Sequence, residues 1–128
     1  MENKGNSIIR KKAMDFSVRM YHLNEFLVNQ KKYSLADQVF RSGTSIGANV
    51  SEAIRAESDA DFVHKYSIAM KEAEETLYWL ELANRVDLLD EKLYFSLRND
   101  CEELIKMGTS TSLTMLRKIK QQKADNNN

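Results

Sequence analysis

The feature that most constrains this chain is a set of apolar residues that recur every three or four positions along four separate stretches. This spacing places the residues of each stretch on one side of a helix. The 128 residues contain no proline and only four glycines, a composition that favours long helices. The four series are Ile9, Ala13, Phe16, Met20, Leu23 and Leu27; Leu35, Val39, Ile46, Val50, Ala53 and Ile54; Phe62, Tyr66, Ala69, Ala73, Leu77 and Leu80; and Leu93, Leu97, Cys101, Leu104, Met115 and Ile119.

The four series predict helices at about 8–29, about 35–56, about 59–86 and about 90–121. Ser34 is a predicted cap of the second helix, and Ser58 or Asp59 of the third. Short connections between long helices favour antiparallel neighbours. We therefore expect an all-α protein, with one up-down-up-down antiparallel four-helix bundle over residues 1–122. The polar residues 123–128 are predicted to form a disordered tail.

The charge and cysteine content of the chain indicate its cellular compartment and the classes of partner that it can bind. Nineteen basic and nineteen acidic residues give a formal net charge of zero, so strong non-specific binding to nucleic acid or membrane is not a property of the whole chain. The one cysteine cannot form an internal disulfide, which fits a reducing compartment. No apolar run has the length of a signal peptide h-region at the N-terminus or of a membrane span elsewhere. We expect a cytoplasmic protein without membrane contact.

The side chains most able to take part in catalysis are those of His22, His64 and Cys101. No Glu-x-x-His pair occurs, although metal sites in helical bundles use such pairs. Both histidines are predicted to lie on the surface. Cys101 falls on the fourth apolar series and is predicted to be a buried, inert thiol. We expect no enzymatic activity, no catalytic or metal-binding residues, no cofactor and no small-molecule substrate.

Two of the four glycines, Gly43 and Gly47, lie four residues apart inside the second predicted helix. Each costs about 1 kcal/mol relative to alanine in a helix, so their presence needs a reason. The segment lacks the lysine and the preceding strand of a phosphate-binding loop. We predict that both glycines allow a neighbouring helix to approach closely.

The third predicted helix carries a second apolar series that points away from its core series. A helix that is apolar on two sides is expected to be buried on two sides. One interpretation is scattered exposed residues with a tryptophan at a helix edge. The other, which we favour, is a contact between subunits of a homo-oligomer. The residues of this predicted interface are Ile68, Trp79, Leu82 and Val86.

Acidic residues flank this second series. Glu72 and Glu75 belong to a band that is usually a solvated face. The alternative is that they pair across the subunit contact with Arg41 or Arg55 of the second helix, because they lie beside the apolar residues.

Basic residues cluster at both ends of the chain. Antiparallel packing would bring the start of the first helix beside the end of the fourth. The cluster is either a pair of solvated termini or a contact surface for nucleic acid. The candidate contact residues are Arg10, Lys11, Lys12, Arg117, Lys118 and Lys120.

The segments RSGTSIGANVSEA (41–53) and SDADFVHKYSIAMKEAEETLYWLELA (58–83) resemble a family of four-helix-bundle proteins encoded in intervening sequences of bacterial 23S ribosomal RNA genes. The resemblance implies a bundle that assembles into a ring, a pentamer. It also implies a relationship to accessory variability proteins of retroelements, which present basic surfaces to nucleic acid and a reverse transcriptase. That family has no established catalytic residues.

Two functions remain open at this point. The first is a non-enzymatic homo-oligomer that binds structured RNA, other nucleic acid or a ribonucleoprotein partner. The alternative is a scaffold for protein–protein interaction that binds no nucleic acid.

Overall fold

The chain folds into four helices. The structure is a computed structural model that describes the backbone of residues 4–127 and the side chains from Gly5 onward. Helix α1 spans Lys4–Asn29, α2 Tyr33–Ile54, α3 Asp59–Arg85 and α4 Glu91–Asn126. No strand occurs between residues 4 and 127, so the prediction of an all-α protein with four helices is confirmed. Residues 1–3 of the predicted bundle and residue 128 of the predicted tail lie outside the described residues.

Helix α4 is longer than the sequence predicted. It has 36 residues and continues to Asn126, through most of the stretch that was expected to be a disordered tail. Residues 109–126 contain no glycine or proline, and lysine, glutamine and alanine are good helix formers. Gln121 Nε2 also donates a hydrogen bond to Asp125 Oδ1 at 2.9 Å, one turn along the same face. The polarity that suggested disorder does not by itself end a helix.

Helices α1 and α3 are each followed by a residue with left-handed backbone. Lys31 and Asp87 both have φ of 62°. In each case the next amide reaches back to a carbonyl of the last helical turn and satisfies an acceptor that the helix end leaves open. These bonds run from Lys32 N–H to Leu27 O and from Leu88 N–H to Ala83 O, each at 2.9 Å.

Helices α3 and α4 begin with side-chain caps. Ser58 Oγ accepts a hydrogen bond from Asp61 N–H at 3.0 Å, which confirms Ser58 as the predicted cap of α3. Asp90 Oδ1 accepts from Leu93 N–H at 2.8 Å. Each cap satisfies one of the amides that the first helical turn leaves without a partner.

The predicted cap of α2 is wrong. The helix already begins at Tyr33, and Lys32 occupies the cap position without a side-chain hydrogen bond. Ala36 N–H donates to Lys32 O at 3.0 Å, so the first helical hydrogen bond forms before Ser34 is reached.

The core is formed by the four predicted apolar series. The series of α1 is buried throughout, and Cys101 and Leu104 of α4 are buried as expected. Leu77 and Met115 are only partly buried and pack against the core. Since the apolar residues occupy one side of each helix, no helix within residues 4–127 has the length and apolarity needed to cross a membrane.

Each helix contacts two others. Helix α2 packs against α1 and α3, and α4 packs against α3 and α1. The order of neighbours around the core is therefore α1, α2, α3 and α4. Each pair of adjacent helices forms one side of the molecule, and these sides hold the candidate interaction surfaces.

Candidate interaction surfaces

Gly43 and Gly47 both face α1. A Cβ at Gly43 would lie 2.6 Å from Sδ and 3.2 Å from Cβ of Met20, a residue that is fully buried. A Cβ at Gly47 would lie 3.4 Å from Ala13 Cβ, which is an ordinary van der Waals distance. Helix α1 thus approaches α2 closely at both glycines, and the space for a side chain is missing only at Gly43.

The second apolar series of α3 divides into a half-buried part and an exposed part. Ile68 and Trp79 are half-buried, and Trp79 packs against the core while its Nε1 donates to Glu75 Oε2 at 3.2 Å. Leu82 is 38% exposed and Val86 53% exposed. Tyr78, which the sequence analysis did not include, is 65% exposed beside Trp79. We refer to Tyr78, Leu82 and Val86 together as the α3 edge.

Arg41 pairs with acidic residues of its own chain. Its guanidinium contacts Glu72 Oε2 at 3.3 Å and also pairs with Glu75. Both carboxylates therefore have a partner within the chain, and their pairing across a subunit contact stays a prediction. Because α2 and α3 are adjacent, the long arginine side chain reaches both carboxylates across the seam between the two helices.

Three of the basic residues predicted to contact nucleic acid have acidic partners within the chain. Lys11 pairs with Asp15 at 3.1 Å, and Lys118 Nζ lies 3.8 Å from an oxygen of Asp59. A hydrogen bond at 2.9 Å to Glu103 raises the pKa of Lys12. Acidic partners thus reduce the positive field of the predicted cluster. The three other residues, all exposed, are Arg10, Arg117 and Lys120.

Lys12 and Arg117 of the two basic clusters are offset along the bundle. Lys12 lies opposite Glu103 of α4. Arg117 lies further along the same helix than Glu103, by about 20 Å at a rise of about 1.5 Å per residue. The cause is the position of the two residues in their helices, because α1 begins at Lys4, well before Lys12, and Arg117 lies in the second half of α4. Arg117 and Lys120 therefore stand apart from Lys12.

A second exposed apolar surface lies between α1 and α2, and the sequence analysis missed it. Met14 is 59% exposed, Val18 50%, Tyr21 52% and Phe40 37%. The rings of Tyr21 and Phe40 meet edge to face with centroids 6.5 Å apart, which joins the two helices on this surface. The spacing of Met14, Val18 and Tyr21 was a usable signal, since residues four and seven apart share a helical face. We refer to these four residues as the α1/α2 face.

The residues with catalytic potential are separated from one another. His22 is exposed and lies 3.2 Å from Glu25, and His64 is also exposed. Cys101 is buried and its Sγ donates to Ala73 O at 3.3 Å. Burial raises the pKa of Cys101 to about 12, which disfavours the reactive thiolate. Between residues 5 and 127, no three His, Cys, Asp or Glu side chains form a group that could hold a metal ion.

Comparison with known proteins identifies the family. The family model for the 23S rRNA-intervening sequence protein matches residues 5–110. A solved structure of a protein of unknown function from the S23 ribosomal protein family of Bacteroides thetaiotaomicron VPI-5482 is 44% identical, with a TM-score of 0.82. The similarity covers 84% of this chain and 97% of that one. No curated protein matches the chain. The predicted resemblance is confirmed, and the chain belongs to the 23S rRNA-intervening sequence protein family.

Proposed function

We propose that the protein is a non-enzymatic subunit of a homo-oligomeric ring, a pentamer of up-down-up-down bundles. The order of contacts between helices supports antiparallel neighbours. Lys12 of α1 pairs with Glu103 of α4, and Arg19 pairs with Asp100. A later residue of α1 thus contacts an earlier residue of α4, as in antiparallel helices. The ring and its number of subunits are what the resemblance to the family implies.

The observation that carries this proposal is the exposure of the α3 edge. Tyr78, Leu82 and Val86 are side chains that water solvates poorly, and they follow one another at helical spacing on the outer side of α3. Adjacent apolar residues of this kind mark interaction sites more often than isolated ones do. Trp79 packs against the core beneath them and gives the surface a rigid base.

Light scattering coupled to size exclusion tests the assembly. Leu82→Glu combined with Val86→Glu should produce monomers with an unchanged helical circular dichroism signal, because each buried and unpaired charge costs several kcal/mol in a contact. Phe95→Glu is the matched control, since Phe95 is an exposed apolar residue of α4 at 46% and should leave the assembly intact. A wild-type monomer at tens of micromolar, or a ring that survives the double substitution, would contradict the proposal.

A second candidate function is weak binding of structured RNA through the end of α4. The observation that favours it is the position of Arg117, Lys120 and Lys123, which are all exposed. Their separation from the ion-paired lysines of α1 leaves them in a region of local positive charge. A ring would repeat this region on every subunit, and multivalent contact raises apparent affinity without new contacts.

Binding of a structured RNA hairpin across a salt series tests this second function. Each subunit should contribute a log–log slope of about −2 to −3, as expected for about three phosphate contacts. Reversal of Arg117, Lys120 and Lys123 to glutamate should abolish binding. Reversal of three exposed lysines at the opposite end of the bundle, Lys31, Lys32 and Lys92, is the control with the same change in charge. If the wild-type protein retains no RNA even at low salt, it is an interaction scaffold without nucleic acid.

A further inference from the structure

A cavity of about 320 Å³ lies at the end of the bundle where α1 and α3 begin. Gly5 and Asn6 of α1 line it, together with Phe62 of α3 and a stretch of α4 between Ser110 and Lys118. Its volume is at the lower end of the range for ligand pockets, which is about 300–1,000 Å³. The cavity is therefore large enough for a small organic molecule and too small for a folded partner.

The cavity has an aromatic and apolar part. The ring of Phe62 stacks on the ring of Tyr66, with centroids 4.7 Å apart, so it is held in one orientation. Met115 of α4 is partly buried and packs against the core beside the cavity. Aromatic rings pack well against other rings and against methionine sulfur. This part of the cavity suits a flat aromatic body.

The wall formed by α4 supplies hydroxyl groups. Thr114 Oγ1 donates a hydrogen bond to Ser110 O at 3.0 Å, and its oxygen can still accept one. Within residues 5–127, the hydroxyls of Ser110 and Thr111 form no hydrogen bond with the protein. Both hydroxyls can therefore donate to an oxygen of a ligand.

A positive charge stands at the same wall. Lys118 lines the cavity, and its Nζ lies 3.8 Å from an oxygen of Asp59. This distance is longer than a hydrogen bond, so the ammonium group keeps its donors for another acceptor. The amide groups at the starts of α1 and α3 add partial positive charge at this end of the bundle. The cavity thus favours an anion, and Asp59 competes with that anion for Lys118.

We propose that this cavity binds a small aromatic carboxylate. The ring of the ligand packs against Phe62 and Met115, and its carboxylate accepts from Lys118 and from the hydroxyls of α4. Helical periodicity did not reveal this site, because its residues lie on three helices that only the fold brings together. Thr111, Thr114, Met115 and Lys118 also lie beyond residues 5–110, so they are not part of what the family model matches.

Two probes of the same shape test the charge of the ligand. 2-Naphthoate has one carboxylate on a flat two-ring body, and 2-naphthamide is its neutral counterpart. Isothermal titration calorimetry should show saturable binding of one naphthoate per chain and weaker binding of naphthamide. Amide shifts in NMR spectra should concentrate at Phe62, Thr111 and Thr114. Absence of saturation at millimolar naphthoate, shifts centred elsewhere, or equal affinity for the two probes would overturn the inference.

A matched pair of substitutions tests the position of the site. Thr114→Phe places a ring in the cavity and should weaken naphthoate binding by about tenfold or more. Thr109→Phe is the control, because Thr109 is an exposed threonine of the same helix that does not line the cavity. Thermal unfolding by circular dichroism verifies that both variants are folded. If the two variants bind naphthoate equally, the probe does not occupy this cavity.

Two charge substitutions should change the affinity in opposite directions. Lys118→Gln should weaken naphthoate binding by roughly fivefold, as expected for the loss of one exposed ion pair, and should leave naphthamide binding unchanged. Asp59→Asn should strengthen naphthoate binding, because it removes the competitor for Lys118. Lys120→Gln is the control for the same loss of charge outside the cavity, and it should have no effect. Weaker binding by the Asp59→Asn protein, or equal losses for Lys118→Gln and Lys120→Gln, would refute the role given to Lys118.

Discussion

The hydroxyls of Ser42 and Thr76 lie 3.0 Å apart, and both side chains are fully buried where α2 packs against α3. Each hydroxyl also has a carbonyl acceptor in its own helix: Ser42 Oγ lies 2.8 Å from Gln38 O, and Thr76 Oγ1 lies 2.7 Å from Glu72 O. No polar atom of the pair is left without a partner, which is what a polar pair needs in order to be tolerated in a core.

The Ser42–Thr76 pair predicts a specific double-mutant result. Ser42→Ala and Thr76→Val should each destabilise the fold by about 1 kcal/mol, because each removes the contact between the two hydroxyls and one contact with a carbonyl of the same helix. The double substitution should cost less than the sum of the two, since no hydroxyl then remains to lose its neighbour. Urea unfolding of the four proteins measures the coupling. Additive effects would show that the two hydroxyls do not interact.

The two glycines of α2 should respond differently to alanine. Gly47→Ala should stabilise the fold by roughly 0.5–1 kcal/mol, because alanine is the better helix former and its Cβ meets Ala13 at 3.4 Å. Gly43→Ala should give no gain or a loss, since its Cβ would collide with Met20 in the core. Thermal unfolding followed by circular dichroism measures both variants. A stabilised Gly43→Ala protein would show that Met20 can move at little cost.

The helix caps can be tested with a matched pair of serines. Ser58→Ala should destabilise the fold by about 1 kcal/mol, because Ser58 Oγ accepts the Asp61 amide. Ser34→Ala should change stability by less than about 0.5 kcal/mol, since Ser34 lies inside α2 and is exposed. Denaturant unfolding under identical conditions compares the two. Equal losses would mean that Ser34 also caps a helix.

Burial of Cys101 predicts a loss of stability in alkaline solution. The thiol has an ordinary pKa of 9.0, and burial raises the pKa of Cys101 to about 12 in the folded chain. Above about pH 9 the unfolded chain releases a proton that the folded chain keeps, so the free energy of unfolding falls as pH rises toward 12. Near pH 10.5 the loss should be on the order of 2 kcal/mol.

The control for this alkaline effect is Cys101→Ala, which removes the thiol. Tyr66, whose pKa burial also raises to about 12, contributes a fall of the same sign in both proteins. The difference between wild type and variant therefore isolates Cys101. Urea midpoints at pH 8 and pH 10.5 measure this difference. If stability falls equally with pH in the two proteins, the thiol of Cys101 is not the cause of the alkaline loss.

The helical periodicity was sufficient to predict the fold class and most of the core. It failed where polar or small residues occupy core positions. Ser42 lies between Val39 and Ile46 at helical spacing, and Thr76 between Ala73 and Leu80, yet neither was included because each carries a hydroxyl. The sequence does not show whether a buried hydroxyl will have hydrogen-bond partners, because these depend on how α2 packs against α3.

The surfaces were harder to predict than the core. The outward series of α3 was recognised, but the sequence could not show that Trp79 packs inward while Val86 stays exposed. The pairing of Arg41 within its own chain depends on the distance between two helices, which periodicity does not contain. The separation of Lys12 from Arg117 depends on how α1 and α4 lie against each other, which periodicity does not contain either.

The unequal length of α4 has one further physical consequence. From residue 120 to residue 127 every side chain is exposed, so these turns are held by local hydrogen bonds and not by tertiary packing. Short helices without packing are marginally stable in water, and Arg117, Lys118, Lys120 and Lys123 repel one another along the same stretch. A polyanion that neutralised them would increase their helicity. The helicity of the end of α4 therefore depends on its surroundings, whereas the helicity of the packed bundle does not.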